Sequence, residues 1–354
     1  SASSSAPSSS TAALRARLIV GTSSFGGLYA PTSAAACCAT VVRALEHGLR
    51  RFDTAPHYGL GLSEERLGAA LARCRSERPE LCAPDVEVYT KVGRVILGCL
   101  RSKGGTDDEA EYAKAIDMEE RLETSNLPGS SVFAECPAGR RAVRDYTACG
   151  VSRSLEASRT RLLMMRDPGK TPNHPPARLA GVRVHDPEQS AAIEAEAFAE
   201  AFAALRELVD ASVEVSVGTN SASIAVRATR EKCVDAVFLA NRWNLLDHTT
   251  GIKALEAAAE HGGMPIDVAG VYASGCLVGG STYEYEPASA EILGRVDAWR
   301  ALAERDHGIS LPALALAFAL CAAPVRFVAV GVRSAEEIDQ TIAWLDEIAG
   351  FSGL

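Results

Sequence analysis

Eight short apolar runs alternate along this chain with stretches whose apolar residues recur at helical spacing, and that alternation leaves few folds open. The first run is "RARLIVG", which ends in the turn "TSSFGG"; the others lie at 51–53, 86–91, 179–185, 214–217, 236–240, 266–270 and 327–330. Helical spacing follows at 32–49, 63–74, 150–164 and 188–210, and again after each later run. Strands that alternate with helices build a parallel sheet, and eight units without a long reversal favour a closed α/β barrel, the (β/α)8 or TIM fold, over an open doubly wound sheet. An open dinucleotide-binding sheet would carry GxGxxG after its first strand, and "GTSSFGG" does not fit that pattern.

On this reading residues 17–354 are one barrel domain. The opening "SASSSAPSSSTAA" is small, polar and of low complexity, so residues 1–16 are expected to be a disordered tail. Two connections exceed structural economy, one at about 98–147 and one at 167–178. The first is a long βα loop insertion on the face where barrels place their active sites, and a lid over substrate and a solvated surface insertion are both compatible with it.

Strand C-termini in a barrel point to one mouth, so polar residues there carry most information. Asp53 ends the second run in "RRFD", Lys91 ends the third in "VEVYTK", His185 ends the fourth in "LAGVRVH", and Tyr58 lies in the loop after Asp53. Each has an ordinary use alone: Asp53 as a turn residue, Lys91 as a solvated strand end, His185 as a helix entry. Together they suit proton transfer by a phenol. An unperturbed tyrosine titrates near 10 and is a poor base until something stabilises its phenolate. Lys91 is expected to do so and to lower the phenol pKa, with Asp53 keeping the ammonium charged and a neutral His185 donating to a substrate oxygen. His57, beside Tyr58, reads as a loop residue.

"FDTAPHYGLGLSEERLG", "YTKVGR", "VHDPE", "VGTNS" and "VGVRSAEEID" resemble the ordered motifs of the aldo-keto reductase superfamily. "DYTACGVSRSLEASRTRL", "LANRWNLLDH" and "VYASGCLVGG" are most similar to its aldose 1-dehydrogenase branch, which includes D-threo-aldose (fucose) and L-galactose dehydrogenases. The resemblance implies an NAD(P)-dependent barrel with Asp53, Tyr58, Lys91 and His185 as its catalytic tetrad. It implies that Thr219 and Asn220 hold the nicotinamide carboxamide, and that Gly331 and Arg333 lie against the adenosine end. Many relatives carry a glutamine on the sixth strand where this chain has Ala240, so either Asn241 substitutes or that contact is absent. Tyr272 or Trp243 would stack on the nicotinamide, and Ser274, Gly275 and Leu277 in the same segment would complete the cofactor contacts. Glu337 stands where NADP-preferring relatives often place an arginine, which favours NAD over NADP.

The expected activity is oxidation of a free aldose at C1 to its lactone, with hydroxyl-rich loops such as "TSSFGG" and "DYTACG" offering hydrogen bonds to the sugar. Reduction of a pyridoxal-like aldehyde is the alternative. A nicotinamide-binding regulatory subunit and a Schiff-base aldolase using Lys91 are readings from other classes. A formal net charge of −9 disfavours nucleic acid or an anionic membrane as partner, and no run approaches the roughly 20 apolar residues that span a bilayer. A small-molecule partner, sugar or aldehyde, and a monomer or weak oligomer are expected. The ten cysteines show no CxxC pair and no Cys/His spacing for zinc, so no metal is expected. Reduced thiols and the lack of a secretory pattern point to a cytoplasmic protein.

Overall fold

The computed structural model describes residues 9–82, 86–98, 112, 116, 121–124, 132–164 and 176–351. Its strands in chain order are β1 (Leu18–Gly21), β2 (Arg51–Asp53), β3 (Glu87–Val92), β4 (Arg94–Leu97), β5 (Arg141–Arg144), β6 (Arg178–His185), β7 (Glu214–Thr219), β8 (Ala236–Ala240), β9 (Ile266–Ala269), β10 (Thr282–Tyr283), β11 (Glu286–Pro287) and β12 (Val325–Gly331). Eight of them close a barrel in the order β1, β2, β3, β6, β7, β8, β9, β12, and all eight pairings are parallel. These are the eight apolar runs of the sequence. The remaining four form two antiparallel hairpins, β4 with β5 and β10 with β11.

Helices fill the connections, and several of them start where a side chain caps them. Ser33, Thr147, Ser221, Ser289, Ser310 and Ser334 each accept a hydrogen bond from a backbone N–H in the first turn. The outward faces of the strands, such as Val20, Phe52, Val88, Val184 and Val217, pack against helix residues such as Leu45, Leu67, Leu71 and Leu155 in one core. A smaller core under the β10–β11 hairpin joins Leu245, Leu246, Ala273, Cys276 and Leu277.

Side chains alternate along a strand, so Arg183 and His185 of β6 share the barrel interior with Tyr89 and Lys91 of β3. The register sets Lys91 opposite Arg183, Asp53 opposite Tyr89, and Gly21 opposite both Asp53 and Gly331. Barrel interiors are usually filled by branched aliphatic residues. Here Asp53, Lys91, Arg183 and Asp267 are all buried in it.

Three expectations change. Residues Ser9–Arg15 are a helix, not a tail; Thr11 is buried, and Arg15 reaches Asp346 of the C-terminal helix Ala335–Gly350 at 3.5 Å. Docking on that helix supplies the stability that local composition lacks. The helix expected at 188–210 is divided into Ala191–Glu196, a wider turn Ala197–Ala201, and Phe202–Leu208. Glu196 at that junction accepts from Arg121 and from the Tyr146 N–H. The long insertion begins and ends as the β4–β5 hairpin, so its base is sheet. Most of 98–131, including the short helix the sequence allowed there, and most of the second long connection lie outside the described residues.

Candidate active site

Tyr58 sits in a turn built by its neighbours. The Tyr58 N–H bonds to the Ala55 carbonyl at 3.2 Å, and the Gly61 N–H bonds to the Pro56 carbonyl at 2.7 Å. Gly59 (φ 62°) and Gly61 (φ 88°) take the left-handed conformation that glycine adopts without penalty. Gly26, in the turn after β1, presses on the same segment, so that a Cβ there would lie 2.4 Å from the Tyr58 carbonyl carbon. Gly26→Ala is therefore expected to displace the Tyr58 turn and lower kcat by about 100-fold, the usual cost of a misplacement near 1 Å. Steady-state kinetics check this, and an unchanged kcat contradicts it.

Lys91 Nζ donates to the Asp53 carboxylate, to the Thr54 carbonyl at 2.9 Å and to the Tyr58 hydroxyl at 3.1 Å. An ammonium has three donors, so all are used and the phenol oxygen is an acceptor toward lysine. Its own proton is left for another partner. Asp53 also receives Arg183 at 3.2 Å, and Arg183 continues to Ser216 at 3.2 Å and Asp267 at 3.4 Å. Arg326 grips Asp267 from below at 2.8 and 2.9 Å. The result is a buried chain of alternating charge from the mouth to the barrel floor. The rings of Tyr58 and His185 stand edge to face at 6.0 Å, and those of His57 and His185 at 5.9 Å.

Burial, with Asp53 and Asp186 close by, holds the Tyr58 phenol well above its ordinary value. This reverses the lowering expected from Lys91: desolvation and two carboxylates outweigh the guanidiniums of Arg183 and Arg94, which pull the other way. Burial also pulls Lys91 below its ordinary value, with Asp53 opposing. Burial and then Arg94 push His185 well below its ordinary value and His57 down to about 3, so both rings are neutral.

The cluster opens on a cavity of about 660 Å³ that runs from His57 and Phe133 past Tyr58 to Gln340 and Trp344. Asp53, Tyr58, Lys91 and His185 line it, as do Thr219, Asn220, Asn241, Tyr272, Ser274, Gly275, Gly331, Arg333 and Glu337. Leu277 does not; its side chain packs in the smaller core with Leu245 and Leu246. Trp243 is also elsewhere, stacked on Phe318 at 5.0 Å, so of the two candidates for stacking only Tyr272 lines the cavity, with Trp344 against its ring at 5.4 Å. Of the two hydroxyl-rich loops, Thr22, Ser23 and Ser24 reach the cavity. "DYTACG" does not: the Tyr146 hydroxyl donates to the His185 carbonyl at 2.5 Å and Asp145 accepts from Thr147.

Three features of the wall, and one residue behind it, escaped the sequence. His57 lines it. Phe133, from the end of the insertion, sits 6.1 Å from the Tyr58 ring and is tied to the β1 turn through the Leu28 bridge. Tyr29 and Tyr285 stack at 6.1 Å across the opening. Buried Arg94 donates to the His185 carbonyl and lies 3.6 Å from Asp186. The legible signal was the charged residue in each all-apolar run, "RVIL" for Arg94 and "GVRVH" for Arg183.

Three buried polar atoms along this cavity, His185 Nδ1, Tyr272 Oη and Arg333 Nε, have no protein partner among the described residues. A long polar ligand would satisfy them, so the wall fits a dinucleotide. Glu337 does not neutralise the Arg333 guanidinium; its carboxylate accepts from the Arg333 backbone N–H at 2.7 Å, while Arg333 donates to the Leu28 carbonyl at 3.0 Å.

A closed (β/α)8 barrel with Tyr58, Lys91, Asp53 and His185 around one mouth is the arrangement that the resemblance to barrel oxidoreductases implied. The sequence matches the Aldo/keto reductase family over residues 17–126 and 178–349, and the chain belongs to that family. It is 31% identical over 341 residues to pyridoxal 4-dehydrogenase of Microbacterium luteolum, covering 93% of this chain and 89% of that one. It is 30% identical over 328 residues to D-threo-aldose 1-dehydrogenase of a Pseudomonas species, covering 90% and 86%. Among solved structures, an aldo-keto reductase of Bacillus halodurans in its holo form superposes with a TM-score of 0.62 at 17% identity, covering 93% and 86%. A glycerol dehydrogenase of Gluconobacter oxydans superposes with a TM-score of 0.60 at 20% identity, covering 94% and 90%. Among the described residues no helix is long and apolar enough to cross a membrane, and no group of His, Cys, Asp or Glu is arranged to hold a metal.

Proposed function

We propose that this protein is an NAD(P)-dependent dehydrogenase that oxidises a free aldose at C1 to its lactone, with Tyr58 as general acid and base. The observation that carries this reading is the Lys91 to Tyr58 hydrogen bond, which holds the phenol oxygen beside a cation and leaves its proton for a ligand in the cavity. Thr219, Asn220 and Asn241 would hold the carboxamide, Tyr272 the nicotinamide ring, Ser274 and Gly275 the middle of the dinucleotide, and Gly331, Arg333 and Glu337 its adenosine end. The nicotinamide supplies a hydride acceptor or donor.

The chain's own residues do the rest. In oxidation the Tyr58 phenolate takes the substrate hydroxyl proton, and in the reverse direction the neutral phenol protonates a carbonyl oxygen. Lys91 stabilises the phenolate, Asp53 and Arg183 keep Lys91 in place, and His185 fixes the substrate oxygen. Phe133 and the stacked Tyr29 and Tyr285 limit water. A Schiff-base role for Lys91 is disfavoured because all three of its protons are engaged. Unpaired cysteines among the described residues are consistent with a cytoplasmic setting. NAD is proposed over NADP because the Glu337 carboxylate, which lines the cavity beside Arg333, would repel a 2′-phosphate. Binding titrations check this, and NADP binding about tenfold tighter than NAD contradicts it.

A pyridoxal-like carbonyl compound is the second reading, favoured by the ring-lined end of the cavity, where His57 meets Phe133 edge to face at 5.4 Å. The deciding test compares kcat/KM for L-galactose, L-fucose and D-arabinose with NAD against pyridoxal and benzaldehyde with reduced cofactor. The aldose reading expects a sugar to lead. An aldehyde that exceeds every sugar by more than about tenfold overturns it.

A further inference from the structure

Asp186 is a cavity-wall carboxylate that the proton transfer itself does not use. It follows His185 at the end of β6, with a left-handed backbone (φ 43°) and an N–H bonded to the Gly218 carbonyl at 2.7 Å. Aspartate tolerates that conformation better than most residues. Its Oδ1 accepts from Asn220 Nδ2 at 3.3 Å, and its Oδ2 lies 3.3 Å from His185 Nε2. An ionised carboxylate offers about four lone-pair positions, so these contacts leave capacity toward the cavity. Burial lifts Asp186 to about 6 against the pull of Arg94, which leaves it mostly ionised at neutral pH.

His185 lies on the same side: its Nε2 is 3.3 Å from Asp186 Oδ2, and its Nδ1 is buried without a protein partner among the described residues. Asp186 and Tyr58 line the same cavity, and an ionised carboxylate has only acceptors, so it has nothing to offer a bare carbonyl but suits a hydroxyl.

We infer that Asp186 is a specificity-determining residue that accepts a hydrogen bond from the substrate hydroxyl on the carbon next to the reacting one. It selects polyhydroxylated alcohols and cyclic hemiacetals over carbonyl compounds that lack that hydroxyl. The inference rests on the aldose reading and names what in the chain enforces it.

The test measures kcat/KM with NAD for L-galactose and 2-deoxy-L-galactose in the wild type and in Asp186→Asn. The wild type should prefer L-galactose by at least about 100-fold, because a site built to bond a hydroxyl rejects the analogue without it. Asp186→Asn should shrink that preference by about tenfold or more, the range for one hydrogen bond to a charged group. The ratio is taken within each protein, so a general loss of folded enzyme cancels. An equal preference in both proteins overturns the role of Asp186 and leaves the aldose reading standing. Failure of the wild type to oxidise any sugar overturns that reading and this inference with it.

Discussion

Tyr58→Phe should lose about 100- to 10,000-fold in kcat while binding nicotinamide cofactor as the wild type does. The hydroxyl removed is the acceptor of the Lys91 hydrogen bond and, in the proposed mechanism, the group that exchanges a proton with substrate. The ring itself keeps its place between Phe133 and His185, so cofactor affinity should not follow the rate. Single-turnover kinetics with saturating substrate separate the two effects. A variant that keeps more than about a third of the wild-type chemical rate contradicts the assignment.

Arg183→Met should destabilise the fold by about 3 to 5 kcal/mol, the cost of breaking a buried ion pair from one side. Arg183 is fully buried and joins Asp53, Asp267 and Glu214, and its guanidinium lies over the rings of Tyr89 and Phe238 at 4.6 and 4.4 Å. Methionine fills much of the volume but leaves those carboxylates short of a cation. Adding Asp267→Asn should cost less in the Arg183→Met background than in the wild type, because the two sites share one network. Urea unfolding gives both numbers. A change below about 1 kcal/mol for Arg183→Met would mean that Lys91 and Arg326 already balance the carboxylates.

The barrel was legible because its signal is local and repeated. Each strand is a short apolar run, and each helix reads at a different period. Asp53, Lys91 and His185 were legible by the same logic, since a polar residue ending an apolar run has one place to point, and Tyr58 followed from its place in the loop after Asp53. Less of the surroundings could be read. Arg183 lies two positions before His185 and so shares its face, but the carboxylates that hold it come from β2, β7 and β9, far apart in sequence. Arg94 escaped because the hairpin it starts is paired with β5 across the insertion. The helix Ser9–Arg15 depends on a partner at the other end of the chain. The direction of the Tyr58 shift failed for a further reason: the sequence names the charges near a phenol, but desolvation depends on how completely the fold encloses it.

The account stands or falls on which group moves the proton, and the pH dependence of turnover in both directions tests that most directly. Reduced nicotinamide is followed by its absorbance with a sugar substrate and, in reverse, with the corresponding lactone or aldehyde. Because the phenol is held above its ordinary value of about 10, the base form grows as pH rises and the acid form persists through neutrality. Oxidative kcat should therefore climb continuously from neutral pH to about 10, while reductive kcat stays level over the neutral range. An oxidative profile that instead levels off or turns over at about 6 would assign the proton transfer to Asp186, and would contradict the role given to Tyr58.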